Sequence, residues 1–184
     1  MPLPKPARRT LHHRREIVCE GYLRDDGLWD IEARMTDKKT HSIDNPERGG
    51  YVGAGEFFHD MRMRITMDKK LFIHQVEASM DDTPFQMCPG IARAYKQLEG
   101  TQIGPGWHRK ALELTGGANG CTHLNELLKP ITTTAVQSIW PSGDTDMVKL
   151  GANGLLNTCH TWAQNSSAVK TYLPELYTPE PPKR

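Results

Sequence analysis

The sequence has no long apolar run and almost no net charge, and both absences narrow its class. No stretch of about 18 apolar residues occurs in the 184-residue chain, so a membrane-spanning helix is not expected. Residues 1–15 are basic and contain proline but lack the apolar core of a secretory signal, which predicts a cytoplasmic protein. A formal net charge of +1 gives no reason to expect specific binding to nucleic acid or to a membrane.

Cysteine is also scarce, with only Cys19, Cys88, Cys121 and Cys159 in the chain. Four widely spaced cysteines in a chain of this length do not indicate a disulfide framework, so free thiols are expected. The sequence contains neither G-x-S-x-G nor H-E-x-x-H, and its GGYVGAG stretch lacks the Lys and Ser/Thr of a phosphate-binding loop. These absences exclude the common signatures of hydrolases, metalloproteases and nucleotide-binding proteins.

Composition divides the chain into three predicted regions. Residues 1–15 are predicted to form a flexible basic arm, residues 16–174 a single domain, and residues 175–184 a proline-rich tail. Hydrophobic residues make up 37% of the chain and charged residues 24%, which is typical of an ordinary globular protein. A protein partner and a homo-oligomer both remain open at this point.

Alternating apolar and polar residues predict an antiparallel meander in the first half of the domain. The third strand places His59 on the same face as a row of methionines, and the fourth places His74 on the face of Phe72 and Val76. A histidine on an apolar face is more often a buried core residue than a ligand, so both are interpreted as core residues. The four strands are expected at residues 17–24, 28–37, 56–68 and 71–79.

Helical periodicity replaces alternation after residue 79. Pro89 fits the first position of a helix, which makes Cys88 its predicted N-cap residue. Two more helices are expected, one ending at residue 114 and one opening after Gly120, and Pro130 should kink or divide the latter. Strands followed by helices predict an α+β fold, a meander of three to four strands covered on one face by two or three helices.

The residues best suited to chemistry are Cys88 and Cys121, each expected where a helix begins. Unpaired N–H groups at a helix start stabilise a thiolate. The GGANGCTH segment places His123 two residues after Cys121, and adjacent Cys159 and His160 supply another sulfur and nitrogen pair. Thiolate and imidazole are the ligand types that zinc or an iron–sulfur cluster selects.

Three hypotheses follow from these residues. In the first, the chain is a metal-binding, iron–sulfur-binding or sulfur-handling accessory protein that uses Cys88, Cys121 and His123, with Cys159 and His160 completing the ligand set. In the second, Cys121 is the nucleophile of a thiol enzyme, with His123 or His160 as its base. The third is a protein-interaction module without chemistry. The ordinary alternative to the first two is that the thiols fill gaps in the core.

Four motifs in order carry a resemblance to known proteins: R-x-I-x-C-E-G-Y-x-R-D-D-G-L-W-D-I-E at 15–32, H-D-M-x-x-R-I-T at 59–66, P-F-x-x-C-P at 84–89 and G-C-T-H-L-x-E-L-L at 120–128. Through them, residues 9–174 resemble the bacterial proteins grouped as domain-of-unknown-function family 2889, which implies no activity. The order of the elements also resembles the NifU-like and SufE-like proteins of iron–sulfur assembly. That second resemblance implies a similar fold and a scaffold or sulfur-acceptor role for Cys88 and Cys121.

Overall fold

The structure is a computed structural model that describes residues 2–140 and 155–180, and it divides into two compact units, residues 1–138 and 139–184. The predicted single domain, 16–174, crosses that division. Its residues 141–154, and residues 181–184 of the predicted tail, lie outside the described residues.

Four long antiparallel strands form the main sheet of the first unit, in the order β1-β2-β5-β6, and two short strands, β3 and β4, pair separately. The sheet and the helices that follow it confirm the predicted α+β class. No helix in the described part of the chain is both long and apolar enough to cross a bilayer. The strands are β1 (His13–Leu23), β2 (Trp29–Lys39), β3 (Ile43–Asn45), β4 (Gly50–Val52), β5 (Phe57–Met67) and β6 (Ile73–Asp82).

The helices follow the sheet in sequence, as expected. In the described part of the chain three are α-helical: α1 (Trp107–Thr115), α2 (Thr122–Ile139) and, in the second unit, α3 (Ser167–Tyr172). Four segments within residues 2–140 and 155–180 are 3-10 helices: Pro46–Arg48, Cys88–Leu98, Gly117–Asn119 and Pro174–Leu176.

The core lies on one face of the sheet, where alternation predicted it. Met61, Met63, Ile65 and Met67 of β5 are buried together, and so is the inward face of α2, which consists of Leu124, Leu127, Leu128 and Ile131. Strand alternation and helical spacing thus bring two apolar surfaces together, and their burial is the main term that stabilises the unit.

Helix α2 runs along β1. Near its start Glu126 bonds to Arg15, and near its end Ser138 lies against Gly21 so closely that a Cβ on Gly21 would overlap the Ser138 hydroxyl. The first turn of α2 is therefore held at the end of the sheet where β1 begins.

One expectation about helix structure was wrong, and a second is excluded in one of its two forms. Cys88 is the first residue of its 3-10 helix, and Met87, with helical backbone angles, occupies the N-cap position. Pro130 lies inside α2 without dividing it, and the kink expected there stays a prediction. Pro130 removes one backbone donor, but Leu127, Leu128 and Ile131 on either side of it are all buried, so packing keeps the helix continuous.

One strand boundary and one core assignment differ from expectation. β1 begins at His13, within the predicted flexible arm, because polar contacts with Asp37 hold its first residues in the sheet. The assignment of His74 to the core was wrong, since its side chain is exposed. The register between β5 and β6 shifts between Thr66 and Met67, and this irregularity moves His74 off the apolar face.

Candidate functional site

Three neighbouring strands place polar residues opposite one another at one end of the apolar face. Arg15 of β1 is paired with Asp37 of β2, and Asp37 with His59 of β5, so all three project from the face that carries the core. The first turns of α2 add His123 and Glu126. We call this group the Asp37 network; it comprises His13, Arg15, Asp37, His59, His123 and Glu126.

The Asp37 carboxylate is only 1% exposed and lies at the centre of the network. Its Oδ1 accepts from Arg15 Nε and His13 Nε2, both at 2.9 Å. Its Oδ2 accepts from Arg15 Nη2 at 2.7 Å and from His59 Nδ1 at 2.9 Å. Burial by itself would raise the pKa of Asp37, but the bonds from Arg15 and His59 outweigh it and lower the pKa to about 2. The carboxylate is therefore ionised at neutral pH.

An ionised carboxylate can only accept hydrogen bonds, and this determines the tautomer of each neighbouring histidine. His59 must carry its proton on Nδ1, which faces Asp37, and so it has its lone pair on Nε2. By the same argument His13 is protonated on Nε2. Asp37 thus prepares His59 to act through one defined nitrogen.

His59 and His123 lie side by side, with ring centroids 3.9 Å apart and ring planes inclined by 34°. Burial lowers the pKa of His59, and a charge on His123 would lower it further; together they outweigh the effect of Asp37. Burial also lowers the pKa of His123, with a further contribution from the charge of Arg15. Both rings are therefore neutral at pH 7, as a metal ligand or a general base must be.

Asp37, His59 and His123 are the one group of three potential metal ligands, within residues 2–140 and 155–180, whose donor atoms all lie within 4.8 Å of one another. A carboxylate offers about four lone-pair positions, and the four bonds to Asp37 occupy them. Asp37 is therefore suited to orient His59 and not to bind an ion itself. The nitrogens left for a ligand are His59 Nε2 and those of the His123 ring.

The cysteines predicted as ligands or nucleophile are not part of the Asp37 network. Cys121 is at the N-cap position of α2, because its carbonyl accepts the first helical bond, from Asn125 N–H at 2.9 Å. Cys88 begins its 3-10 helix, and Cys159 and His160 belong to the second unit. All four cysteines are free, and among the described residues none belongs to a group of three potential ligands. Thiolate ligation by Cys88, Cys121 and Cys159, and nucleophilic catalysis by Cys121, stay predictions.

The segment before α2 is tightly built. The buried Tyr95 hydroxyl accepts from Cys121 N–H at 3.1 Å and lies 2.8 Å from Asn125 Oδ1. Asn125 Nδ2 in turn donates to the Thr115 carbonyl at 2.7 Å, and a Cβ on Gly120 would overlap that carbonyl oxygen. These contacts hold the start of α2 in place, and they thereby position His123, which follows Cys121 by two residues.

Sequence reasoning selected His123 but missed Asp37, His13 and Arg15, and it took His59 for a core residue. His59 is indeed buried, yet its ring is bonded to a carboxylate. The available signal was that Asp37 ends the row of β2 residues that face the core. A charged residue on that face requires a partner.

Comparison with known proteins identifies the family without an activity. A family model described as a protein of unknown function (DUF2889) matches residues 13–137, which include the whole Asp37 network. No curated protein and no solved structure matches the chain. The resemblance to NifU-like and SufE-like proteins stays a prediction. Because the family model covers most of the chain, the protein belongs to the DUF2889 family.

Proposed function

We propose that the protein binds a divalent transition-metal ion through His59 and His123. The observation that carries this proposal is the pair of adjacent imidazoles, one of which lies within hydrogen-bond distance of a buried carboxylate through its Nδ1. Histidine ligands commonly donate their other ring N–H to a carboxylate, which fixes the ring and makes it a better ligand. Asp37 bears this relation to His59.

The donor atoms favour particular ions. Imidazole nitrogen suits zinc, copper, iron and nickel, whereas calcium and magnesium require several oxygen ligands. Structural zinc sites are closed by four protein ligands, so a site with two histidines keeps coordination positions for water or a substrate. The arrangement is thus one in which a bound ion stays accessible to a further ligand.

This proposal keeps the metal-binding hypothesis drawn from the sequence and changes its ligands. His123 remains, and His59 takes the place of the thiols. Iron–sulfur binding and sulfur transfer depend on Cys88 and Cys121, and among the described residues the placement of Cys121 at the N-cap of α2 is what supports them.

Calorimetric titration of zinc into untagged, chelator-treated protein tests the proposal. Wild type should bind zinc at one site, and both His59→Ala and His123→Ala should lose that binding because each removes one of two protein ligands. His108→Ala is the matched control, since this histidine lies on α1 and outside the Asp37 network. It should bind zinc as wild type does, and so should Cys121→Ala.

The two ligand variants differ in their risk of misfolding. His59 is buried, so near-ultraviolet circular dichroism must first show that His59→Ala keeps its tertiary structure. His123 is only half-buried, and its variant decides the question if the other does not fold. Undiminished zinc binding by His123→Ala, together with loss of binding in Cys121→Ala, would refute the histidine site and favour the thiols.

A further inference from the structure

The two edges of the main sheet differ in their protection. At the β6 edge, the backbone of residues 99–102 covers the start of the strand: Ile73 N–H donates to the Thr101 carbonyl at 2.9 Å, and the Ile73 carbonyl accepts from Gly100 N–H at 2.9 Å. At the β1 edge, no strand among the described residues pairs with the outer side. Natural sheets blunt such an edge with proline, a bulge or a covering segment.

Among the described residues, β1 has no proline, bulge or covering strand, and the charged side chains that also discourage strand pairing, Arg14, Arg15, Glu16 and Glu20, are of both signs. It is eleven residues long, contains no proline and pairs with β2 in an unbroken register. All of its residues except Cys19 are exposed, including Val18 at 56% and Leu23 at 63%. A long, regular strand edge with exposed apolar side chains is a template for the addition of another strand.

We infer that a second copy of the chain adds to this edge, β1 to β1 and antiparallel, to form one sheet continuous across both copies. In a two-fold dimer, β1 of one copy pairs with β1 of the other, and the residue on the two-fold axis lies opposite itself. We call this residue the centre of the pairing, and its position determines which residue lies opposite each of the others. The charged residues of β1 then favour one centre of pairing over the adjacent ones.

A pairing centred on Ile17 places Arg14 opposite Glu20, and symmetry makes this contact twice. A pairing centred on Val18 would instead place Glu16 opposite Glu20, again twice, and like charges opposite each other are destabilising. A centre at Glu16 would place that residue opposite itself. The charge pattern of β1 therefore complements its own copy in the register centred on Ile17, and this complementarity is the reason to choose a second copy as the occupant.

The expected contact is small. A strand edge alone belongs with interfaces that bury less than about 1,200 Å², which are weak or transient. The dimer should therefore be sought over a wide range of protein concentrations.

Sedimentation equilibrium on charge variants tests the pairing. Wild type should dimerise reversibly at concentrations up to about 1 mM. Arg14→Glu and Glu20→Arg should each weaken the dimer at least about tenfold, because each turns two attractive contacts into repulsive ones. The double variant Arg14→Glu/Glu20→Arg should restore it. Lys110→Glu, an exposed charge change on α1, is the matched control and should leave the dimer unchanged.

Two results would overturn the inference. One is a wild-type protein that stays monomeric throughout this range. The other is a dimer whose dissociation constant responds equally to Arg14→Glu and to the Lys110→Glu control, because that dimer would use another surface. Circular dichroism should show that Arg14→Glu is folded, because the Arg14 side chain is 60% exposed.

Discussion

Removal of Arg15 from the Asp37 network should strongly destabilise the fold. Arg15 supplies two of the four hydrogen bonds to a carboxylate that is 1% exposed. Breaking a fully buried ion pair costs about 3–5 kcal/mol, and a single hydrogen bond to a charged group contributes about 1.5–3 kcal/mol. The Arg15 side chain is 30% exposed, and His13 and His59 remain bonded to the carboxylate. We therefore expect Arg15→Met to lower the free energy of unfolding by about 2–3 kcal/mol.

A double-mutant cycle separates the ion pair from the packing of the Arg15 side chain. Asp37→Asn keeps the size of the side chain but removes the charge, and its amide then presents N–H donors to neighbours that also donate; we expect a loss of about 2 kcal/mol. In the double variant Arg15→Met/Asp37→Asn no buried carboxylate is left without its charged partner. The combined loss should be smaller than the sum of the single losses by about 1–2 kcal/mol.

Equilibrium unfolding in urea at pH 7 gives the free energy of unfolding of wild type, the two single variants and the double variant, from the midpoint and slope of each transition. Arg14→Met is the control, because the neighbouring Arg14 lies 3.9 Å from Glu16 and is largely exposed. Its effect should stay within about 0.5 kcal/mol. If Arg15→Met were equally mild, or if the two single losses simply added, the central place given to Asp37 would be wrong.

Three further predictions concern residues outside the network. Burial alone would raise the pKa of Asp68, but hydrogen bonds from the Phe72 and Lys70 N–H groups outweigh it and lower the pKa. The ionised Asp68 therefore stabilises the fold above about pH 4, and this contribution is lost as the pH falls through the folded-state pKa. In a plot of unfolding free energy against pH, Asp68→Asn should make the fall at acid pH less steep. Leu71 has a φ of 66°, so Leu71→Gly should leave the melting temperature unchanged or raise it, and a clear fall would show that its side-chain contacts outweigh backbone strain. Tyr95→Phe should cost about 1–3 kcal/mol and speed hydrogen exchange at the Cys121 amide, whereas unchanged exchange would mean that the hydroxyl does not hold that segment.

The fold could be predicted from the sequence where its signals are local. The methionine row of β5 and the leucine stripe of α2 each repeat with the period of their element, and both are buried as expected. Prediction failed for His74 because a register shift is a property of two paired strands and leaves no mark in the alternation of either one.

The candidate site could be predicted only in part for a related reason. Residues 15, 37, 59 and 123 are far apart in the chain, and they meet because of cross-strand register and because α2 starts above the end of the sheet. A cysteine can be selected as a candidate site residue from its residue type alone, whereas Asp37 and His59 can be selected only when they are known to lie opposite each other. His123 was selected because it follows Cys121, although its neighbour in the structure is His59.

X-ray absorption at the zinc edge of the zinc-loaded protein gives the sharpest test of zinc binding by His59 and His123, because it identifies the atoms bound to the ion. The account predicts nitrogen and oxygen neighbours at about 2.0–2.1 Å, an outer-shell imidazole signal, and no sulfur at about 2.3 Å. His59→Ala, treated in the same way, should retain no zinc. Sulfur in the first shell, or a protein that retains no zinc after removal of excess metal, would contradict the histidine site.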